Sequence, residues 1–241
     1  MITSVYDQIA EWYDEQVRTG RLIHDLVLPA LFTVIGEVTG QHICDLACGQ
    51  GVVARRLAQG GAKVVGIDLS ERLLEIARSE EAADPLHITY AQDDAQQCQT
   101  LAKASFDGVV CNMALMDIPD LAATYQAAHR ILRARGWFAF SITHPCIQMP
   151  DSTWSKRDDG TVIRESGNYF AEGFWRPPPG PGVRGRVGNH HRTLSAYLNS
   201  LVRAGFQIQS ISEPRASGDL ERRFPGYLSL PAALVVHCLK A

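Results

Sequence analysis

The chain has 241 residues, of which 46% are apolar and 20% charged, a balance typical of one large folded domain. It carries 23 basic and 26 acidic residues, a net charge of −3, which gives no sign of a nucleic-acid or membrane partner. No apolar run reaches the roughly 18 residues that span a bilayer, and the first residues lack the features of a signal peptide. Six scattered cysteines, without ligand spacing, predict reduced thiols and no metal site, so we expect a cytoplasmic protein.

Helix and strand patterns alternate along most of the chain. Amphipathic helices are predicted at 4–17 and 22–38, then strands at 41–46, 62–67, 87–91, 106–111 and 136–142, with helices at 51–60, 70–81 and 121–132 between them. A helix at 194–204 precedes strands at 206–211 and 229–239. Strands that alternate with helices of this length predict right-handed crossovers and a parallel sheet that is covered on both faces.

Residues 145–192 interrupt this alternation. They lack clear periodicity and are rich in Pro, Gly and aromatic residues. From Gly173 to Ser212 there is no Asp or Glu, but five arginines occur, at positions 176, 184, 186, 192 and 203. One interpretation is a surface loop whose arginines pair with acids elsewhere. We favour a lid that forms a positively biased pocket for an aromatic or anionic acceptor, because the segment leaves the end of a predicted strand, where ligands bind in such sheets.

A glycine turn follows the first predicted strand, in the sequence ICDLACGQG at 43–51. Gly49 and Gly51 allow the backbone to turn sharply and to approach a ligand. Asp68 ends the next strand, where a carboxylate can accept both hydrogen bonds of a ribose diol. Asp45 discriminates between two classes of ligand for this turn. Its charge would repel the pyrophosphate of a dinucleotide, whereas it would attract a ligand with an ammonium or sulfonium group.

These motifs resemble those of the class I S-adenosylmethionine-dependent methyltransferases, in their small-molecule branch. DLACGQG at 45–51 is similar to the family motif D-x-G-C-G-x-G, with Ala in place of the first glycine. Four further segments are similar to family motifs: 68–70 to the ribose site, 92–95 to the adenine-edge loop, 106–112 to the fourth strand and 6–14 to the N-terminal cap. The resemblance implies S-adenosyl-L-methionine as the cofactor. The residues expected to bind it are Tyr6, Tyr13, Asp45, Ala47, Gly49, Gly51, Asp68, Leu69, Asp94, Ala95, Asn112 and Met113.

The resemblance also implies an α/β fold, a Rossmann-like three-layer sandwich. Its seven-stranded, mostly parallel sheet would include an antiparallel terminal strand at 229–239 beside 206–211. The short linker between these two strands agrees with a hairpin return. We expect a single domain over 1–241, with a helical cap at 1–40 and a lid insertion at 145–192, present as a monomer or homodimer.

Methyl transfer from a sulfonium is an in-line displacement, so a base is needed only if the acceptor must lose a proton. The candidate catalytic residues are His144, His191 and Asp117. His144, just past a strand end, is either a base or a loop imidazole bonded to the backbone. Asp117 either holds a cationic acceptor or caps the next helix. His190 and His191 precede the helix at 194, and either one of them faces the site or both belong to a solvated helix start.

The sequence thus predicts methyl transfer to a small-molecule acceptor. An RNA or protein acceptor is disfavoured by the near-neutral charge and by the lack of an appended recognition domain. A nicotinamide-dependent oxidoreductase would leave Asp45 without a role. A non-catalytic S-adenosylmethionine-binding protein stays open, because a fold does not determine turnover. The acceptor atom can be oxygen, nitrogen, sulfur or carbon.

Overall fold

The computed structural model describes residues 4–178, 180 and 182–241. The first three residues of the predicted cap, and residues 179 and 181 of the predicted lid, lie outside the described residues. The helical elements are a 3-10 turn at Val5–Gln8, α1 (Ala10–Thr19), a π-helical turn at Ile23–Val27, α2 (Leu28–Ile35), α3 (Val52–Gln59), α4 (Glu71–Ala83), α5 (Leu121–Ile131), α6 (Val183–Val187), α7 (Leu194–Arg203), α8 (Asp219–Arg223) and a 3-10 turn at Pro225–Leu228. The strands are β1 (His42–Leu46), β2 (Lys63–Asp68), β3 (Thr89–Gln92), β4 (Phe106–Asn112), β5 (Leu132–Thr143), β6 (Thr153–Lys156), β7 (Val162–Glu165), β8 (Gly173–Trp175), β9 (Asn189–His191), β10 (Phe206–Ser212) and β11 (Ala233–Lys240).

Seven strands form one sheet in the order β3-β2-β1-β4-β5-β11-β10. The first five strands of the chain pair in parallel, and β11 is antiparallel to both β5 and β10. The predicted mostly parallel sheet with an antiparallel terminal strand is therefore confirmed. After β1 the chain adds β2 and β3 on one side of that strand, and it then crosses back to add β4 on the opposite side of β1. Ligands of such sheets bind in the crevice at this switch point, beyond the carboxyl ends of the strands.

Helices cover both faces of the sheet. Side chains alternate along each strand, so that Val110 joins a core with α2, α3 and α4, while its neighbour Val109 joins a core with α5 and α7. The largest fully buried side chains of the second core are Tyr125, Phe138 and Phe140. The two cores hold the strand ends, and therefore the crevice, in a fixed arrangement. Within the described residues, no helix is long and apolar enough to cross a membrane.

The segment predicted as a lid contains short elements that its sequence pattern did not indicate. β6 and β7 form an antiparallel hairpin, whose Trp154 packs edge-on against Tyr227 at 5.4 Å between ring centroids. β8 and β9 form a second antiparallel pair, which borders the crevice. Strands of three or four residues are too short for a visible alternation, and their pairing partners lie within the same irregular segment. The segment thus divides into a part against the 225–228 turn and a part at the crevice.

Candidate active site

The crevice at the switch point is a cleft of about 400 Å³, bounded by the N-terminal cap, the ends of β1, β2 and β4, and the β8–β9 pair. It brings together ten of the residues predicted to bind the cofactor, and Asp117 as well. The ten are Tyr6, Tyr13, Ala47, Gly49, Asp68, Leu69, Asp94, Ala95, Asn112 and Met113. Asp45 and Gly51 are not in its lining.

The turn after β1 depends on left-handed backbone at Ala47, Gly49 and Gly51, with φ of 57°, 56° and 86°. At Gly51 a side chain would collide with the Tyr90 ring, so this glycine belongs to the packing beneath the turn. Ala47 adopts the same conformation with a Cβ atom, at a cost of about 1 kcal/mol. The family motif has a glycine here, and Ala47 keeps its backbone in the left-handed region that a glycine adopts without strain.

Asp68 ties the turn to β2. Its Oδ2 accepts a hydrogen bond from the Gly49 amide at 2.8 Å, and its Oδ1 accepts one from the Ser70 amide at 2.8 Å. Burial raises the pKa of Asp68, and the backbone amides partly oppose this shift. Each carboxylate oxygen still has a second acceptor site, so the side chain can bind a ribose diol from the cleft.

Asp45 lies beneath the turn and is 1% exposed. Its Oδ2 has no hydrogen-bond donor among the residues that the structure describes. Burial raises the pKa of Asp45 to about 8; a hydrogen bond from the Ala54 backbone opposes this rise, and the nearby Asp68 adds to it. One oxygen of this acidic group is therefore unsatisfied, and a cation bound near the turn would favour the ionised form.

A second loop, after β3, carries Asp94 and Ala95. Asp93 holds this loop from below, since its carboxylate accepts hydrogen bonds from the amides of Asp94 at 2.8 Å and Thr100 at 2.7 Å. Asp94 lies in the cleft lining. Its Oδ1 accepts from the backbone amide of Gln96 at 2.8 Å, and the Gln96 side-chain Nε2 donates to both of its oxygens at 3.0 Å. The acceptor site that remains on Oδ2 can bind an exocyclic amine, while the apolar Leu69 and Ala95 can cover the faces of a base.

The roof of the cleft joins the cap to the lid through Asp117. The Tyr6 hydroxyl donates to Asp117 Oδ2 at 3.2 Å, and Arg184 of α6 forms an ion pair with Asp117 Oδ1. Asp117 and Arg184 have side chains that are only 17% and 13% exposed. The carboxylate beside it raises the pKa of Arg184, which stays charged. Asp117 thus already has Arg184 and Tyr6 as partners. Its predicted role in binding a cationic acceptor stays a proposal, and it is disfavoured because Arg184 already balances the charge of the carboxylate.

Asp7 fastens the cap to the start of α4. Its Oδ1 accepts from the Ser70 hydroxyl at 2.7 Å, and its Oδ2 accepts from the Ser4 amide at 3.0 Å. Tyr6 is the adjacent residue, so the tether sets its position over the cleft. Glu11 also reaches α4, through an exposed ion pair with Arg72.

We expect Asp7→Ala to weaken S-adenosylhomocysteine binding by roughly 5–30-fold, because three hydrogen bonds to a charged group are lost, two of them from Ser70 and the Arg72 amide at the start of α4. Glu11→Ala, the matched control in the same cap, is expected to change affinity by less than about 3-fold, since exposed ion pairs contribute little. Isothermal titration calorimetry measures both. Equal affinities for Asp7→Ala and the unmodified protein would show that the tether does not position the roof.

His144 and His191, predicted as catalytic residues, are not in the lining of the cleft. His144 is 4% exposed, with Nε2 at 2.8 Å from Glu213 Oε1 and Nδ1 accepting from the Cys146 amide at 3.3 Å. The two ring nitrogens of His191 lie 3.2 Å from the Gln148 carbonyl oxygen and 2.8 Å from that of Tyr169. Both imidazoles are occupied by structural contacts, so the structure places neither where it could touch a ligand in this cleft.

Six lid residues line the cleft, namely Phe174, Arg176, Val187, Gly188, Asn189 and His190. The sequence pointed to Arg176 as one of five lid arginines and to His190 as one of two histidines that could face the site, but it did not indicate which residues of the lid meet the cleft. The pairing of β8 with β9 places Phe174 opposite His190 and Trp175 opposite Asn189. His190 therefore packs against Phe174, with ring centroids 5.3 Å apart, while His191 turns towards the protein interior. Alternation along β9 was the available signal, but β9 was not predicted.

Among the described residues, one of the five lid arginines has its charge paired with an acid, and two others are held by neutral groups. Arg184 is paired with Asp117, Arg186 lies over the Trp12 ring at 4.1 Å, and Arg192 donates to backbone carbonyls, including that of Ile118 at 2.7 Å. Arg176 is exposed, lines the cleft, and forms no ion pair with any residue in the described ranges. It is therefore the arginine best placed to meet an anionic ligand.

Comparison with known proteins supports the class that this fold and cleft define. The family described as "Methyltransferase domain" matches residues 44–140. A crystal structure of an S-adenosylmethionine-dependent methyltransferase from Mesorhizobium loti is 31% identical, covers 88% of this chain and 96% of that chain, and has a TM-score of 0.74. The ubiquinone biosynthesis O-methyltransferase of Bordetella avium is 30% identical over 134 residues, 55% of this chain and 56% of the relative. That of Pseudomonas aeruginosa is 31% identical over 128 residues, 52% of this chain and 54% of the relative.

The chain belongs to the S-adenosylmethionine-dependent methyltransferases. The predicted family and its cofactor are confirmed, and a nicotinamide-dependent oxidoreductase is not favoured. The chain spans only about half the length of the curated O-methyltransferases that it matches. The residues present fit the cofactor, because the cleft offers an acidic ribose acceptor in Asp68, and beneath its turn lies the unsatisfied carboxylate oxygen of Asp45.

Proposed function

We propose that the protein transfers the methyl group of S-adenosylmethionine to a small-molecule acceptor, which is aromatic or anionic. The observation that carries this proposal is the continuity of one cleft between two unlike halves. One half carries Asp68, Asp94 and the glycine turn, and the other carries Phe174, Arg176 and His190. A cofactor in the first half would meet an acceptor in the second.

S-adenosylmethionine supplies a methyl group activated by a sulfonium. In this mechanism, Asp68 accepts hydrogen bonds from the ribose hydroxyls and Asp94 accepts one from the adenine amine. Asp45 compensates the positive charge of the amino-acid portion from beneath the turn. Met113, which also has left-handed backbone at φ 54°, and Asn112 border the junction between the halves. The Asn112 Oδ1 accepts from the Ser141 hydroxyl at 2.7 Å, which holds this side chain in place.

The acceptor half supports an aromatic or anionic molecule. Phe174 is 59% exposed and offers a ring face or edge, and Arg176 offers a guanidinium that matches a carboxylate. The roof formed by Tyr6, Asp117 and Arg184 limits the entry of water. Exclusion of water strengthens electrostatic interactions in the cleft and limits hydrolysis of the donor.

The decisive experiment incubates the protein with a small-molecule extract and methyl-labelled S-adenosylmethionine, followed by mass spectrometry. We expect one or more labelled small molecules and a matching amount of S-adenosylhomocysteine. Binding of cofactor without turnover of any extract component would favour the non-catalytic alternative. Gel filtration with light scattering determines whether the protein is a monomer or homodimer.

Replacement of Asp68 tests the cofactor half. We expect Asp68→Ala and Asp68→Asn to weaken S-adenosylhomocysteine binding by roughly 10–150-fold, the loss of about 1.5–3 kcal/mol for a charged hydrogen-bond acceptor. Asp107→Asn is the matched control, because Asp107 also accepts a backbone amide, from His42 at 2.8 Å, but lies at the amino end of β4. Calorimetry gives the affinities and thermal melting reports folding. Unchanged affinity in folded Asp68→Asn would contradict the assignment.

A further inference from the structure

His190 lies between two cavities. It lines the cleft, and it also lines a groove of about 420 Å³ on the outer side of β9, bordered by the start of α5, the end of the lid and α7. Pro119 is the other residue shared by both cavities. The backbone amide of His190 donates to the Met116 carbonyl at 2.7 Å. This hydrogen bond fixes β9 against the loop that follows β4. His190 and Pro119 thus lie between the cleft and an opening to solvent.

The imidazole of His190 is available for chemistry. Its ring nitrogens form no hydrogen bond with any residue that the structure describes, in contrast to those of His144 and His191. The ring is held by Phe174, at 5.3 Å between centroids and 61° between planes. A half-buried, positioned imidazole without a partner is suited to general base catalysis.

The charges around His190 favour its neutral form. The charged side chains that line the two cavities near β9 are Asp117 and Arg176 at the cleft and Glu172, Arg192 and Arg203 at the groove. Asp117 is paired with Arg184, and Glu172 accepts from the amide and hydroxyl of Thr193 at 2.8 and 2.6 Å. Partial burial and then Arg192 lower the pKa of His190. The ring is therefore unprotonated at neutral pH and can accept a proton.

The acceptor class follows from His190 and Arg176. A base is needed only by an acceptor that must lose a proton before it attacks the methyl group, which favours a hydroxyl. An aliphatic amine would be cationic at neutral pH and would be repelled by Arg176, which lines the same cleft. Asn189, the preceding residue, lies on the opposite face of β9, because side chains alternate along a strand.

We propose that His190 is the general base for a hydroxyl acceptor, and that the acceptor is an acidic, phenol-type hydroxyl compound with an anionic group for Arg176. The inference rests on the proposed methyl transfer. The acceptor O–H bond breaks and its proton moves to a ring nitrogen of His190. The acceptor oxygen forms the new bond to the methyl carbon, the carbon–sulfur bond breaks, and its electron pair stays on sulfur. His190 then releases the proton to water in the groove.

Two probes of the same shape separate this role from a structural one. They are 4-hydroxybenzoate and 4-mercaptobenzoate, each supplied with S-adenosylmethionine, with S-adenosylhomocysteine formation as the readout. We expect the hydroxyl probe to be methylated, with an acid limb in kcat/KM below pH 6.5. We expect His190→Ala and His190→Gln to lower kcat for it by roughly 10²–10⁴-fold. The thiol probe, already ionised at neutral pH, should lose less than about 10-fold.

His191→Gln is the matched control, because the neighbouring imidazole contacts backbone carbonyls outside the cleft. It should keep the acid limb of the pH profile. Equal losses for the hydroxyl and thiol probes in His190→Gln would overturn the base assignment. Failure of 4-hydroxybenzoate to react or bind, with S-adenosylhomocysteine binding intact, would overturn the acceptor class while the extract screen still tests the proposed function.

Discussion

Replacement of Asp45 by Asn is expected to stabilise the ligand-free protein more at pH 7.5 than at pH 5.5, by about 3 kcal/mol. Asp45 is 1% exposed, and burial raises its pKa in the folded protein to about 8, whereas an unfolded chain has a value near 4. Between these two values the folded state binds one more proton than the unfolded state. The free energy of unfolding therefore falls by about 1.4 kcal/mol for each pH unit in this window. The Asn variant has no such dependence at this position.

Urea unfolding of both proteins at pH 5.5, 6.5 and 7.5 measures the effect. The difference between the two proteins isolates Asp45 from Asp68, whose pKa is also raised by burial. Parallel pH dependences would show that Asp45 is already ionised in the folded protein, and would remove the argument that it awaits a cation.

The same carboxyl group links cofactor binding to proton release. A cation bound near the turn lowers the pKa of Asp45, so binding of S-adenosylhomocysteine, which carries an ammonium group, should release up to one proton at pH 7. Calorimetry in buffers of different ionisation enthalpy detects this release. The Asp45→Asn variant should bind more weakly and release correspondingly fewer protons. Equal proton release in the two proteins would place the cation elsewhere.

Replacement of Arg184 by Met is expected to lower the free energy of unfolding by about 3 kcal/mol, because removal of one partner leaves the other charge largely buried and unpaired. Asp117 is 17% exposed, and its two partners are Arg184 and the Tyr6 hydroxyl. Loss of the ion pair should also release Tyr6 from the roof and weaken binding of S-adenosylhomocysteine. Addition of Asp117→Asn to the Arg184→Met variant should recover most of the stability, since it removes the unpaired charge.

Arg186→Met provides the matched control within α6. Arg186 lies over the Trp12 ring at 4.1 Å, an exposed contact worth about 0.5–1 kcal/mol. Urea unfolding and calorimetry compare the variants. If the two arginine variants lose equal stability, the ion pair is no more important than any other contact between lid and cap.

The cofactor half of the cleft was predictable because its residues follow strand ends within short motifs. Gly49 and Asp68 lie at the ends of neighbouring parallel strands, and the carboxyl ends of such strands meet at one edge of the sheet. Local periodicity therefore predicts both the strands and the meeting of their ends. Asp45 was recognised as a determinant, but its place beneath the turn, rather than in the cleft lining, depends on the packing of α3 on the sheet.

The acceptor half was decided by contacts between distant segments. His144 is occupied by Glu213, 69 residues away, and Asp117 is paired with Arg184, 67 residues away. Neither pairing has a local sequence signal. The prediction of an aromatic, basic lid identified the segment, but it did not show which of its arginines stay free of an acidic partner.

The sequence by itself determined the class of this protein, through periodic strands and helices and through motifs at consecutive strand ends. Only the tertiary structure decided which of two adjacent histidines meets the cleft. Successive side chains of a strand point to opposite sides, so the pairing of β8 with β9 sends His190 to the cleft and His191 to the interior. Strands this short derive their position from their partner and not from their own pattern, because three residues contain no repeat that could specify a face.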